Sequence, residues 1–161
     1  MVLADTLAAE ADHQEFRIRD YPLHYLVFVQ KHAQTAFARV LRRHGLTNQS
    51  WRVLAAMSSG EALTIGQIAD LTVFDRSNLG RLLSAMESDG LVERMSDIVD
   101  ARAVLVRMTR AGQARFLAAR PDILRIYNLL LEGFSPVEKD MLMTMLRRLK
   151  ANGAMLAERP E

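Results

Sequence analysis

Arg76, Ser77, Asn78 and Arg81 stand on the non-core side of a short helical pattern, close to its start. A guanidinium can pair with O6 and N7 of guanine, and a carboxamide with N6 and N7 of adenine. Each good pair discriminates by about 1–3 kcal/mol. On most helices such residues would be a solvated face. Here a pair of strand-like runs comes next, Leu91-Val92-Glu93-Arg94 and Ala103 to Met108, joined by a polar tip that carries Asp100 and Arg102. An arginine at such a tip can enter a narrow minor groove, where A·T tracts concentrate negative potential. Asp100, two residues earlier, would lie on the same side of the ribbon and hold the guanidinium. The plain alternative is an exposed ion pair worth at most about 1 kcal/mol. Arg102 has no evident packing use, which favours a contact outside the chain. Arg94 either meets a phosphate or braces the hairpin. Gly80 costs its helix about 1 kcal/mol against alanine, a cost that would suit close approach to another backbone.

A second group lies near the N-terminus. Arg17, Arg19, His24, Tyr25 and Phe28 cluster where the first long helix begins. Arginine and histidine could hold a carboxylate or phenolate while tyrosine and phenylalanine cover an aromatic ring; ordinary interface packing is the competing reading. Trp51 is either core or one wall of such a pocket. His24 and His32, eight residues apart, could bind a metal only with carboxylates from elsewhere, so no metal site is assigned. His44 reads as a helix C-terminal cap, favoured by the dipole there.

The elements that must position these groups are set by periodicity and caps. Leu23, Leu26, Val27, Ala33, Phe37, Val40 and Leu41 recur at helical spacing after Pro22, and Gly45 stops that helix. Thr47 can cap a helix that buries Trp51 and Leu54. Thr64 with Gln67 forms a capping box; Thr72, Val73 and Phe74 make a turn; Asp75 can cap the next helix, whose core face is Leu79, Leu82, Leu83 and Met86, and Gly90 ends it. Thr109 opens a helix that Pro121 should bend or interrupt. Ser135-Pro136-Val137-Glu138 starts a last helix that runs to about Gly153. Met141, Met143 and Met145 alternate and suit a subunit interface better than a cofactor. Residues 1–12 lack strong periodicity.

Composition narrows the classes. A chain of 161 residues, half of them apolar, can bury a core as one domain or two small ones. Without cysteine it has no disulfide, thiolate zinc site or thiol switch. No apolar run is long enough to span a bilayer, and the acidic N-terminus does not read as a signal peptide, so the expectation is a cytoplasmic protein. Neither a Gly-rich phosphate loop nor a recognisable catalytic spacing is present, so no catalytic residue and no cofactor is assigned, and an enzyme is not expected. Bulk charge gives nucleic acid no help: the net charge is +2, and residues 61–110 hold eight acids against six arginines. Only the placement of those arginines points to DNA.

The order of these fragments resembles the MarR family of multiple antibiotic resistance regulators, over roughly residues 17–150. The resemblance rests on Leu46-Thr47-x-x-x-Trp51-Arg52-Val53-Leu54, Leu91-Val92-x-Arg94, Asp100-x-Arg102 and Met108-Thr109-x-x-Gly112. Met108 stands where the family commonly has Leu. Ala101 stands where another Arg is common, which removes one phosphate contact. The resemblance implies a mainly α fold with a small antiparallel β wing, a winged helix-turn-helix over 47–109, and dimerisation helices from 1–46 and 110–161. It implies a homodimer on a pseudo-palindromic operator in double-stranded DNA, usually a repressor that a small aromatic or phenolic ligand releases. The alternatives are a winged-helix regulator without small-molecule input and a helical protein-interaction module.

Overall fold

The computed structural model describes residues 17–96 and 104–157. The expectations placed on residues 1–12 and on Asp100 and Arg102 lie outside them. Pro22 occupies the first turn of α1 (Pro22–Leu41), where its missing N–H costs nothing. A 3-10 turn, Arg42–His44, and Gly45 at φ +65° close that helix. Thr47 starts α2 (Asn48–Ala56) with a closed capping box: the Ser50 amide donates to Thr47 Oγ1 at 3.0 Å, and the Thr47 amide donates to Ser50 Oγ at 2.8 Å. Thr64 and Gln67 repeat the device at α3 (Ile65–Thr72). Then come α4 (Arg76–Ser88), two hairpin strands, α5 (Arg110–Leu130) and α6 (Pro136–Ala157). Thr109 caps α5 by accepting from the Gly112 amide at 3.0 Å. Ser135 and Glu138 exchange bonds at the start of α6, and hydrogen bonds from the Ser135 side chain and then its backbone hold the Glu138 carboxyl below its ordinary range.

Two strands are expected and three are present. Leu63–Thr64 forms β1, which lies beside β3 (Val104–Met108), itself paired with β2 (Val92–Ser96), all antiparallel. A two-residue strand is too short to show alternation in the sequence. The core gathers Leu41, Trp51, Val53, Leu54, Ile68, Leu79, Leu83, Met86, Val106 and Ile123, so it joins the end of α1 to α2, α3, α4, the sheet and α5.

Several local expectations change. Pro121 does not interrupt α5, which is continuous to Leu130; a proline removes one ladder bond, and Ala119 and Ile123, both buried, hold the flanking turns on the core. Gly153 does not end α6, since its φ is not positive and a glycine inside an exposed helix costs only about 1 kcal/mol. Asp75 sits at the N-cap of α4 but makes no side-chain bond to a backbone amide. His44 Nε2 lies 3.2 Å from Asp122 Oδ2 on α5, so the ring is tied to a neighbouring helix rather than to its own last turn.

The apolar face of α1 is buried only at its C-terminal end. Val40 and Leu41 enter the core, whereas Leu23 and Val27 are more than three-fifths exposed. α6 buries none of its 22 residues. No described helix is long and apolar enough to cross a membrane.

Candidate nucleic-acid interface

Burial of Leu79, Leu83 and Met86 turns the opposite side of α4 outward. On that side three residues at three-residue spacing link into a chain. Asn78 Nδ2 donates to Asp75 Oδ2 at 2.7 Å, and Arg81 Nη2 donates to Asn78 Oδ1 at 2.6 Å. Side chains three apart on a helix are neighbours, so the helix itself builds this ridge. Asp75, Arg76, Ser77, Asn78 and Arg81 are all exposed. Arg76 reaches back toward α3, its Nη2 being 3.8 Å from where a Cβ on Gly66 would stand. A guanidinium and a carboxamide preset side by side are groups that base edges in a major groove can engage. Asn78 would give up its two internal bonds to read adenine.

Arg94 is not part of that ridge. Its Nη1 donates to Glu87 Oε2 at 2.6 Å, and its Nη2 to Ser84 Oγ at 3.1 Å and to the Gly80 carbonyl at 3.3 Å. The Arg94 amide donates to Glu87 Oε1 at 3.1 Å. These bonds stitch the first hairpin strand to the second half of α4. Arg107 and Glu93 face each other across β2 and β3 and are bonded through Nε and Nη2.

Among the described residues nothing lies within 4 Å of where a Cβ on Gly80 would stand, so none of them demands glycine there. Gly80→Ala should therefore raise the unfolding temperature by about 2–4 °C, reflecting about 1 kcal/mol of helix propensity. If the duplex comes close at this position, the same variant loses DNA affinity. A thermal melt and an anisotropy titration read the two effects separately.

α1, α2, α5 and Leu71 of α3 line an open pocket of about 490 Å³. Phe37, Trp51 and Tyr127 supply aromatic walls; Gln34, Asn48 and Arg52 supply polar ones. Phe37 and Tyr127 lie 5.0 Å apart, and Trp51 stacks at 4.7 Å on Phe116. Asn48 Nδ2 donates to the Gln34 carbonyl at 2.9 Å, while its Oδ1 is buried with no hydrogen-bond partner among the described residues. Of the residues gathered for a ligand in the sequence, Trp51 lines this space; Arg17, Arg19, His24, Tyr25 and Phe28 do not. The latter occupy the start of α1 and the turn before it, where His24 sets its ring edge against Tyr25 and Phe28, and Phe28 stacks on His32. Among the described residues no group of three potential ligands could hold a metal ion. Arg52 and Tyr127 carried no sequence signal for a site, because the cavity forms only when helices distant in the chain meet.

Residues 44–103 match the model of the MarR family. The chain is 28% identical over 128 residues to the homoprotocatechuate degradative operon repressor of Escherichia coli, spanning 80% of this chain and 86% of that protein. A MarR-family transcriptional regulator from Silicibacter pomeroyi superposes with a TM-score of 0.76 at 26% identity, covering 86% of this chain and 93% of the other. A mutant Escherichia coli MarR complexed with operator DNA shares the fold with a TM-score of 0.73 at 22% identity, covering 81% and 95%.

Proposed function

The chain belongs to the MarR family of winged helix-turn-helix transcriptional regulators, a DNA-binding and non-enzymatic class, and from that premise we propose that it acts as a homodimeric repressor released from a two-fold operator by a small aromatic acid. The observation that carries the DNA reading is the exposed Asp75–Asn78–Arg81 ridge on a helix whose other face is locked into the core. Arg76 and Ser77 extend it, and Arg102 with Asp100 would reach the adjoining minor groove.

Pairing is supported by what a single chain leaves uncovered. Met141, Met145, Leu149 and Leu156 of α6 are exposed together with Leu23, Val27 and Phe28 of α1. A helix with no packed face draws little stability from propensity alone, so a second copy is the natural cover for both. The ligand reading is supported by the aromatic cavity beside Arg52 and by the repressor of an aromatic-degradation operon among the relatives.

Enrichment of bound sequences from a random DNA pool tests the assignment. A pseudo-palindrome with half-site centres one helical turn apart, about 34–36 Å, is the expected product. A chain that sediments as a monomer, or that enriches no sequence, would contradict it. Arg102→Ala should leave the dimer intact and weaken binding to that sequence tenfold or more at fixed salt; equal affinities would remove the wing from the interface.

A further inference from the structure

Arg52 begins in the wall of the aromatic cavity and ends on the turn between α3 and α4. Its Nη2 donates to the Thr72 carbonyl at 2.6 Å, and its guanidinium carbon lies 5.1 Å from the centre of the Phe74 ring. Thr72 is the last residue of α3. Its carbonyl is among those a helix end leaves without an internal donor, and a cation there also meets the negative end of the helix dipole. Phe74 is partly buried against the core. One side chain therefore grips the residues on both sides of Val73.

Val73 makes that grip consequential. It is the one non-glycine residue with positive φ among those described, at +57°. A β-branched side chain rarely accepts that conformation. Val73 is 80% exposed, so its side chain gains no packing in return. Apart from bonds from the Val73 and Phe74 amides to the Ala69 carbonyl, the turn is held by what its neighbours touch. Asp75 comes directly after, so the setting of the turn fixes where the Asp75–Asn78–Arg81 ridge points.

We propose that Arg52 is the positioning residue that couples the cavity to the recognition helix, and that a carboxylate on an aromatic ligand works by taking its guanidinium. This rests on the ligand reading and names its regulation. A carboxylate offers two charged acceptors in the plane of the guanidinium fork, and such bonds are roughly twice as strong as those to a neutral carbonyl. An aromatic acid seated between Trp51 and Tyr127 draws the fork back into the cavity. The Thr72 carbonyl then loses its donor, Phe74 loses its cation, and the strained turn relaxes with the ridge out of register for DNA.

The 161-residue chain carries a single tryptophan, Trp51, in the cavity wall, so its fluorescence reports occupancy. The test uses homoprotocatechuate, its methyl ester, and the DNA enriched by the parent. For the parent, the acid should quench Trp51 and weaken DNA binding tenfold or more, and the ester should not release DNA. Arg52→Gln should bind the DNA at least tenfold more weakly without any acid, and the acid should then change its affinity by less than twofold. A parent-like melting curve shows that the variant is folded; should it not fold, Arg52→Lys, which keeps the charge without the fork, is judged by the same two criteria. Parent-like DNA affinity together with parent-like release by the acid overturns the proposal and leaves the ligand reading standing. If the acid affects neither Trp51 nor DNA binding in the parent, the ligand reading falls. A tenfold loss in Arg52→Gln then still supports its hold on the turn, and unchanged affinity overturns it.

Discussion

Replacing Gly112 with alanine should lower the unfolding temperature by about 6–12 °C. The alanine Cβ would stand 2.1 Å from the Leu91 carbonyl oxygen and 3.0 Å from both its carbon and Met108 Cγ. No rotation of a flexible side chain relieves a clash with backbone. The first turn of α5 must instead retreat from the start of β2, which breaks the bond from the Thr109 amide to that same Leu91 oxygen at 3.1 Å. Overpacking of this kind costs about 1–3 kcal/mol, occasionally more, and each kcal/mol moves the midpoint of a chain this size by about 2–4 °C. With backbone on one side of the contact, the upper end applies. α5 also carries Ala119 and Ile123 into the core and lines the aromatic cavity through Tyr127, so a shift at its start propagates to both. Gly153→Ala is the control, because among the described residues nothing lies within 4 Å of where its Cβ would stand; it should melt at or slightly above the parent. Circular dichroism melts of the two variants decide the matter, and a Gly112→Ala protein that melts with the parent refutes the packing account.

Arg81→Ala should weaken binding to the enriched operator about thirtyfold or more. A lost base pairing is worth about 1–3 kcal/mol. A two-fold complex loses it twice, and each 1.4 kcal/mol is a factor of ten in affinity. The fold should be untouched, since Arg81 is exposed and its bond to Asn78 is a surface one. Discrimination against a changed base at the contacted position should relax as well, whereas removal of a phosphate contact would weaken all sequences alike. Anisotropy titrations against the operator and a scrambled duplex, at two salt concentrations, separate these outcomes. An unchanged affinity for both duplexes would take Arg81 out of the interface. Arg94→Ala offers the contrast: it should cost stability by unpinning β2 from Glu87 and Ser84 before it costs affinity.

The features legible in the sequence are those whose partners sit within a few residues. Thr47 with Ser50, Thr64 with Gln67, Thr109 with Gly112 and Ser135 with Glu138 all bond at a spacing of three. Gly45 and Gly90 end helices at positive φ, a conformation that their residue type invites. The buried face of α4 is given by periodicity alone, and with it the exposure of Asn78 and Arg81 on the other side.

Long-range partnership decided the rest. Leu63 finds Val106 to make the third strand, and no local pattern marks a strand of two residues. Pro121 could stop a helix in isolation; packing on both flanks carries the helix through it. The contacts of Arg94 with Glu87, Ser84 and Gly80, and of Arg52 with Thr72 and Phe74, form only once separate elements meet. Caps and periodicity are short-range physics, written in neighbouring residues. Where a guanidinium finds its acceptor, or three aromatic rings meet around a space, depends on elements brought together only by burial of the core.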